Sequence, residues 1–313
     1  MKGAINMEKR KKVSIIETGI IDGQMSFKYY LQDAVKDFDQ MDFSSKEKAI
    51  KETKEKYEEN MRKVGKEYGF DGEKLVVPYD NGIKYRPGEY FIADEKIYQK
   101  DKNLKKVKTP GDIVLLKKDN PGITIGYPVS DDPVVIMEDQ KKGITALAHC
   151  GLRQIGDRIP LHMINALKKE AGSSLDDIKV YISSNLKQES NRIILKPKAI
   201  KNNPELWKGC IKKRFTFYQG QNTIQKLINL SIGLICSNID QEQAIINMIT
   251  NRGIPEENIT VNKKNTYTEA TLYSSTKSKM LHEPVIDGKY LVGAYYEDSL
   301  PQYTVEKGRT RKL

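Results

Sequence analysis

VSDDPVVIMEDQKKGITALAHCGLR, residues 129–153, contains two short apolar runs that are joined by a polar segment. The runs Val134–Met137 and Ile144–Ala148 predict two buried strands, and the charged segment between them ends at Gly143. If the two strands pair as a hairpin, the beginning of the first lies beside the end of the second. The sequence therefore predicts a buried hairpin whose outer ends meet at one edge of a sheet.

Reactive side chains flank both runs at these outer ends. Asp131 and Asp132 precede the first strand, while His149, Cys150 and Arg153 follow the second. Hairpin pairing would bring these groups to one rim of the sheet, and active sites are commonly built at such positions. Asp-Asp-Pro is also ordinary turn chemistry, and a histidine at a strand end is often structural. The spacing alone leaves a functional site and a structural turn both open.

Length and charge limit the classes of protein that fit. The chain has 313 residues, which is enough for one large domain or two small ones. Lysine and arginine number 53 against 42 acidic residues, so the net charge is +11 and favours anionic partners. Because acidic residues are interspersed with basic ones through most of the chain, the composition argues against a nucleic-acid partner.

Cysteine spacing and hydropathy indicate a cytoplasmic protein. Cys150, Cys210 and Cys236 are far apart and form no C-x-x-C pair, which indicates reduced thiols rather than a disulfide framework. No run reaches the roughly 18 apolar residues that a membrane helix needs. Glu17 interrupts the apolar stretch after the basic residues Lys9–Lys12, which argues against a secretory signal. The sequence leaves the oligomeric state open.

The chain is predicted to divide into an N-terminal extension, residues 1–44, and one globular domain, residues 45–313. The extension is expected to contain a strand at Val13–Ile16 and a short helix around Phe27–Phe38. The domain is expected to begin with a helix that starts at the capping-box pattern Ser44-Ser45-Lys46-Glu47. Apolar residues spaced by seven, four, three and four predict its inward stripe, which consists of Ile50, Tyr57, Met61, Val64 and Tyr68.

The segment 129–153 resembles the central signature of the laccase-domain family, also called polyphenol-oxidase-type purine nucleoside phosphorylases. That signature is Ala-Asp-Cys-x-Pro before one strand and His-Ala-Gly-Trp-Arg-Gly after the next. The resemblance continues through Gln241–Gly253, Pro255–Ile259 and Asn265–Ser274, and spans roughly residues 45–300 in the same order. It implies an α/β fold, the laccase-domain fold, in which mixed β-sheets pack face to face with helices outside, in an α/β/β/α-like arrangement.

The resemblance implies phosphorolysis of purine nucleosides, with adenosine deamination in some members, and a nucleoside-like or anionic small-molecule ligand. His149, Asp132 and Arg153 are the predicted catalytic residues, because a histidine beside a carboxylate can act as general acid or base and arginine binds phosphate bidentately. The lysines proposed for substrate binding stand where the family carries arginine. The predicted substrate-binding residues are Asn81, Asp131, Lys277 and Lys289.

The resemblance also implies a metal site built from two histidines and a cysteine, a donor set that suits zinc. The corresponding positions in this chain are Asn81, Asp132 and His149, so one of the three ligands is retained. A neutral amide oxygen is a poor zinc ligand, and a second carboxylate from Asp131 would make a harder site closer to manganese or magnesium. His149 and Asp132 are therefore the metal-ligand candidates.

Three functions are consistent with these residues. The first is purine nucleoside phosphorylase-like catalysis. The second is a pseudoenzyme that keeps the pocket for a ligand or a partner protein, and the third is a hydrolase or transferase retuned to another substrate. Loss of two of the three ligands favours the second and third over an unmodified family activity. The family resemblance still makes a nucleoside-like small molecule the best single expectation for the ligand.

Overall fold

The structure is a computed structural model. It describes residues 12–21, 40–77, 87–96, 113–120, 122–193, 198–212, 222–227, 237–281 and 290–297. Asn81, Cys236, Lys289 and the predicted helix at Phe27–Phe38 lie outside these residues.

The strands, in chain order, are β1 (Val13–Glu17), β2 (Leu75–Val76), β3 (Tyr90–Ile92), β4 (Ile113–Lys117), β5 (Thr124–Val129), β6 (Val134–Asp139), β7 (Ile144–His149), β8 (Ile178–Ile182), β9 (Arg192–Ile193), β10 (Ile211–Lys212), β11 (Ser237–Ile239), β12 (Ile259–Val261) and β13 (Tyr290–Tyr296). The helices are α1 (Phe43–Tyr68), α2 (Leu152–Gly156), α3 (Ile159–Ala171), α4 (Lys198–Asn202), α5 (Gln241–Asn251) and α6 (Ser275–Leu281). No helix among the described residues is long and apolar enough to cross a membrane.

The predicted hairpin is confirmed. Strands β6 and β7 pair antiparallel, with Val134 opposite His149. The connecting segment turns at Gly143, whose φ of +65° lies in the left-handed region that glycine adopts without strain. Both strands lie in the middle of a six-stranded mixed sheet of order β12-β8-β6-β7-β4-β3. This central position explains why both strands read as continuous apolar runs.

A four-stranded sheet of order β1-β13-β5-β2 packs against one face of the six-stranded sheet. Side chains along a strand alternate between its two faces. On β4, Val114 and Leu116 accordingly join the core between the sheets, while Ile113 and Leu115 join the core on the other side. The two sheets therefore pack face to face, as predicted.

Helices cover the outer faces of both sheets. Apolar residues of α3 and α5, including Met163 and Ile245, pack on the six-stranded sheet. Helix α1 packs on the four-stranded sheet, where Met61 and Leu291 share one core cluster. The order of layers is helix, sheet, sheet, helix, which confirms the α/β/β/α-like fold class.

The inward stripe of α1 is confirmed, but the predicted start of the helix is wrong. Tyr57, Met61 and Val64 are buried, and Ile50 and Tyr68 pack beside them partly buried. Instead of the capping box at Ser44–Glu47, Asp42 caps the helix: its carboxylate accepts hydrogen bonds from Ser45 N at 3.0 Å and Ser45 Oγ at 2.7 Å. An ionised carboxylate is a strong acceptor for these helix-terminal donors, so the helix begins at Phe43.

The strand predicted within the N-terminal extension is an edge strand of the four-stranded sheet. β1 pairs antiparallel with β13 over its whole length. At its end, the Glu17 carboxylate accepts hydrogen bonds from the Tyr181 hydroxyl at 2.6 Å and from Ser184 N at 3.0 Å. Tyr181 belongs to β8 of the six-stranded sheet, so the Glu17 carboxylate links the two sheets.

Candidate active site

The side chains of Asp132 and His149 lie in contact at the open end of the β6–β7 hairpin. His149 Nε2 lies 3.2 Å from Asp132 Oδ2. The hairpin register brings them together, because His149 pairs with Val134, two residues after Asp132. The side chains of His149 and Asp132 are 17% and 43% exposed, so the pair can be reached from solvent. The proximity that the sequence predicted is present in the structure.

The His149 ring is held from the opposite sheet. Tyr127 of β5 stacks on it with ring centroids 4.8 Å apart and an interplanar angle of 6°. With Nε2 facing Asp132, the other ring nitrogen, Nδ1, makes no hydrogen bond to any residue that the structure describes. Among the described residues, the contacts of the imidazole are therefore the Asp132 carboxylate at Nε2 and the Tyr127 ring on its face.

The second oxygen of the Asp132 carboxylate also has a protein partner. Gln241 Nε2 donates a hydrogen bond to Oδ1 at 3.2 Å. Gln241 is the first residue of α5 and is 3% exposed, and its own Oε1 accepts from Asn191 Nδ2 at 3.1 Å. Gly151 leaves room for this carboxylate, since a Cβ at that position would lie 2.7 Å from Asp132 Oδ2. Sequence reasoning missed both amide residues and the role of Gly151.

Asp132 carries a negative charge at neutral pH. Burial raises the pKa of this carboxyl. The hydrogen bond and charge of His149, together with the hydrogen bond from Gln241, lower the pKa by a larger amount, so it lies below its ordinary value of 3.8. A depressed pKa in the folded protein stabilises the fold above pH 3.8, and that contribution is lost as the pH falls through the folded pKa. The pair is therefore built around an ionised carboxylate over the physiological range.

Asp131, in contrast, is committed to hydrogen bonds within the protein. It is 8% exposed and accepts from Thr266 Oγ1 at 3.0 Å, Ser275 Oγ at 2.7 Å and Thr276 N at 2.8 Å. Two of these donors lie in the first turn of α6, the helix that carries Lys277. Asp131 thus fixes this helix to the rim. Its predicted role in substrate binding stays a prediction.

The remaining predicted residues are distributed as follows. Arg153 is exposed in the short helix α2, four residues after His149. Lys277 is partly buried in α6. Asn81 and Lys289 lie outside the described residues. The structure therefore groups Asp131, Asp132 and His149. Arg153 lies on α2, which follows His149 in the chain, and Lys277 lies on α6, whose first turn binds Asp131.

Tyr290 lies next to these carboxylates but remains neutral. Burial, followed by the negative charges of Glu17, Asp131 and Asp132, raises its pKa well above the ordinary value. Its hydroxyl donates a hydrogen bond to the carbonyl oxygen of Ser184 at 2.7 Å. Tyr290 accordingly acts as a structural donor behind the rim.

The thiol next to His149 does not face the pair. Cys150 is fully buried in the core between the six-stranded sheet and its helices, and its N–H donates to the carbonyl oxygen of Pro133 at 2.8 Å. Adjacent side chains of an extended strand point to opposite faces, so a nucleophilic Cys–His pair is not formed here. Cys150 is the small buried cysteine that the strand pattern predicts.

We expect the thiols of Cys150 and Cys210 to be reduced and protected in the native protein. Both are free and buried. Burial and the charge of Asp240 raise the pKa of Cys210 to about 11. The hydrogen bond from Asn247 acts in the opposite direction but is the smaller effect. Titration with a thiol reagent near pH 8 should therefore modify these two slowly, whereas denatured protein should yield all three thiols of the chain. Fewer than three thiols after anaerobic denaturation would contradict the prediction.

The donors at the rim do not match a zinc centre. A catalytic zinc ion uses three protein ligands and keeps a fourth position for water or substrate. In the part of the chain that the structure describes, no three His, Cys, Asp or Glu side chains are placed to hold a metal ion together. His149 and Asp132 supply two donors, and the third position implied by the family resemblance carries the weak ligand Asn81.

We expect the purified protein to contain far less than one zinc ion per chain. The reason is the donor set, which lacks the thiolate and one imidazole of a three-ligand site. Elemental analysis after dialysis against metal-free buffer measures the content. The Asn81→His/Asp132→Cys variant supplies a positive control, because it restores both missing ligand types and should retain more zinc. About one zinc per wild-type chain would refute the prediction.

Comparison with known proteins identifies the family. The family model described as "Multi-copper polyphenol oxidoreductase laccase" matches residues 36–281. No curated protein matches the sequence.

Among solved structures, hypothetical protein YfiH from Bacillus licheniformis has a TM-score of 0.58 and 13% identity, covering 76% of this chain and 80% of its own. YlmD from Geobacillus stearothermophilus has a TM-score of 0.57 and 15% identity, covering 76% of this chain and 78% of its own. At these identities the likeness concerns the fold alone. Because the family model matches most of the chain, the protein belongs to the laccase-domain family.

Proposed function

We propose that the protein is a purine nucleoside phosphorylase-like enzyme that cleaves nucleosides with phosphate. Family membership supports the class of reaction. The observation in this chain that carries the proposal is the solvent-accessible His149–Asp132 pair, 3.2 Å apart. A histidine paired with an ionised carboxylate is a common general acid or base.

The pair matches what phosphorolysis requires. A phosphate oxygen forms a bond to C1′ of the ribose while the bond from C1′ to the base nitrogen breaks, and its electron pair leaves with the base. A proton must reach the departing base, and the products are ribose 1-phosphate and the free base. His149 in its charged form donates that proton through Nδ1, and Asp132 stabilises the imidazolium beforehand.

Two cations that the sequence singles out are the candidates for the phosphate contacts. Arg153 lies four residues after His149 in α2, and its guanidinium can bind two phosphate oxygens at once. Lys277 in α6 is the second candidate, held near the rim because Asp131 binds the first turn of that helix. The net charge of +11 adds a long-range attraction for phosphate.

We expect Arg153→Ala to weaken phosphate binding by about ten- to a hundred-fold. A hydrogen-bonded contact to a charged group contributes roughly 1.5–3 kcal/mol, which corresponds to that range. The measurements are calorimetric titration of phosphate and the apparent KM for phosphate in base release from inosine. Arg252→Ala, at the exposed end of α5, is the matched control and should leave both unchanged. Equal phosphate binding by wild type and Arg153→Ala would remove Arg153 from the site.

The decisive assay is release of free base from inosine, guanosine and adenosine by the wild-type protein, with and without phosphate. Base release that depends on phosphate supports the proposal. Release that proceeds equally in water supports the hydrolase reading instead. Binding of phosphate or nucleoside without turnover would leave a ligand-binding member of the family.

A further inference from the structure

We propose that Gln241, held in place by Asn191, is a positioning residue that fixes the Asp132 carboxylate against His149. The kinetic part of this inference rests on the proposed function, whereas the geometric part does not. The three side chains form a relay of hydrogen bonds that ends at the His149–Asp132 pair.

A carboxylate beside a histidine must be prevented from rotating. The Asp132 side chain is partly exposed, and its two oxygens have different protein partners. Its Oδ2 faces His149 at 3.2 Å, and Gln241 Nε2 binds Oδ1, also at 3.2 Å. Rotation of the carboxylate would break both contacts together. The donor from Gln241 therefore selects the orientation in which Oδ2 faces the imidazole.

The amide of Gln241 is itself oriented. Its two ends could exchange by a half turn, which would present an oxygen to the carboxylate and repel it. Asn191 Nδ2 donates to Gln241 Oε1 at 3.1 Å, and this bond keeps Nε2 towards Asp132. The backbone carbonyl oxygen of Asn191 accepts a hydrogen bond from Ile239 N at 2.9 Å, which ties Asn191 to β11. The orientation of the carboxylate is thus anchored in the backbone of the fold.

Packing alone does not require a glutamine at this position. Gln241 and Asn191 are 3% and 8% exposed, and burial of two amides is unfavourable unless their hydrogen bonds are made. The start of α5 has its own cap, in which Asp240 accepts from Gln243 N at 2.8 Å. An unbranched apolar residue such as methionine would fill the same space at the start of the helix. The amides therefore serve Asp132, which is the partner at the end of the relay.

The test replaces Gln241 by methionine, which keeps length and volume but removes the donor. Gln243→Met is the matched control on the same helix, where the glutamine is exposed and contacts Asn247. Because the chain has three histidines, ¹⁵N labelling of histidine gives few ring signals to assign. We expect the His149 ring signals to move in Gln241→Met and to stay in place in Gln243→Met.

Kinetics supply the second measurement. Loss of one hydrogen bond to a charged group corresponds to about a ten- to a hundred-fold effect. We expect Gln241→Met to lower kcat for base release by that amount with little change in KM for inosine, because no substrate contact is lost. Asn191→Ala should act in the same direction, and the double variant should be no worse than Gln241→Met, since the two residues act in series.

Unchanged His149 ring signals in Gln241→Met would overturn the inference, even if activity fell. If the wild type releases no base, the proposed function fails while the ring signals still decide on the relay. Should Gln241→Met not fold, Asn191→Ala provides the same comparison from the other end of the relay. Ring signals that match the wild type in that variant would likewise overturn the inference.

Discussion

His149→Ala is expected to lower kcat for base release by about 100- to 10,000-fold, the range that a general acid or base contributes. The substitution removes the proton donor of the proposed mechanism, and Asp132 cannot replace it because its carboxyl is ionised at neutral pH. The measurement is initial-rate base release from inosine at saturating phosphate. Circular dichroism should show an intact fold, because His149 lies at a strand end and is partly exposed.

Two further variants separate proton transfer from packing in that experiment. His149→Gln can still hydrogen-bond to Asp132 but cannot donate an acidic proton, so it should be as inactive as His149→Ala. His162→Ala, which removes a histidine from α3 that is not part of the pair, should retain most of the activity. Near-wild-type turnover in His149→Ala would remove the pair from the mechanism.

Met61→Ala is expected to lower the free energy of unfolding by about 2–5 kcal/mol, the usual cost of removing a buried methionine side chain. Met61 is fully buried between α1 and the four-stranded sheet, in a cluster with Tyr57, Val64 and Leu291. The cavity left behind accounts for the upper part of that range. Urea unfolding followed by circular dichroism measures the loss.

Glu55→Ala is the control on the same helix. Glu55 is exposed, and alanine is a good helix former, so the free energy of unfolding should change by no more than about 0.5 kcal/mol. Comparable losses in Met61→Ala and Glu55→Ala would show that α1 does not pack through the stripe described above.

The fold was accessible from the sequence where periodicity was strong. The stripe of α1 follows from the 3.6-residue repeat, and the two hairpin strands follow from short continuous apolar runs bounded by polar residues. The boundary of α1 was less accessible, because Asp42 and Ser44 are both good caps and the tertiary structure selects the first. The face-to-face packing of the two sheets was expected from the family resemblance. The order of strands within them was not predicted, because pairing between distant strands leaves no local signal.

The centre of the candidate site was predictable for the same reason. Asp132 and His149 flank one hairpin, so local pairing is enough to bring them together. Gln241 reaches Asp132 from 109 positions away, and Tyr127 approaches His149 from the opposite sheet. One signal for Gln241 was present in the sequence. It is a glutamine directly after the predicted helix cap Asp240, and a buried amide at that position needs a hydrogen-bond partner.

Strand β13 imposes an order on the assembly of the molecule. It lies between β1 and β5, and both of these strands are distant from it in the sequence, β1 by most of the chain and β5 by about half of it. During synthesis on a ribosome, the six-stranded sheet can gather its strands first, because all of them precede residue 262. The four-stranded sheet must wait for Tyr290–Tyr296 to emerge. Until then α1 and β1 have an incomplete surface to cover, and the nascent chain depends on late, long-range contacts to close its core.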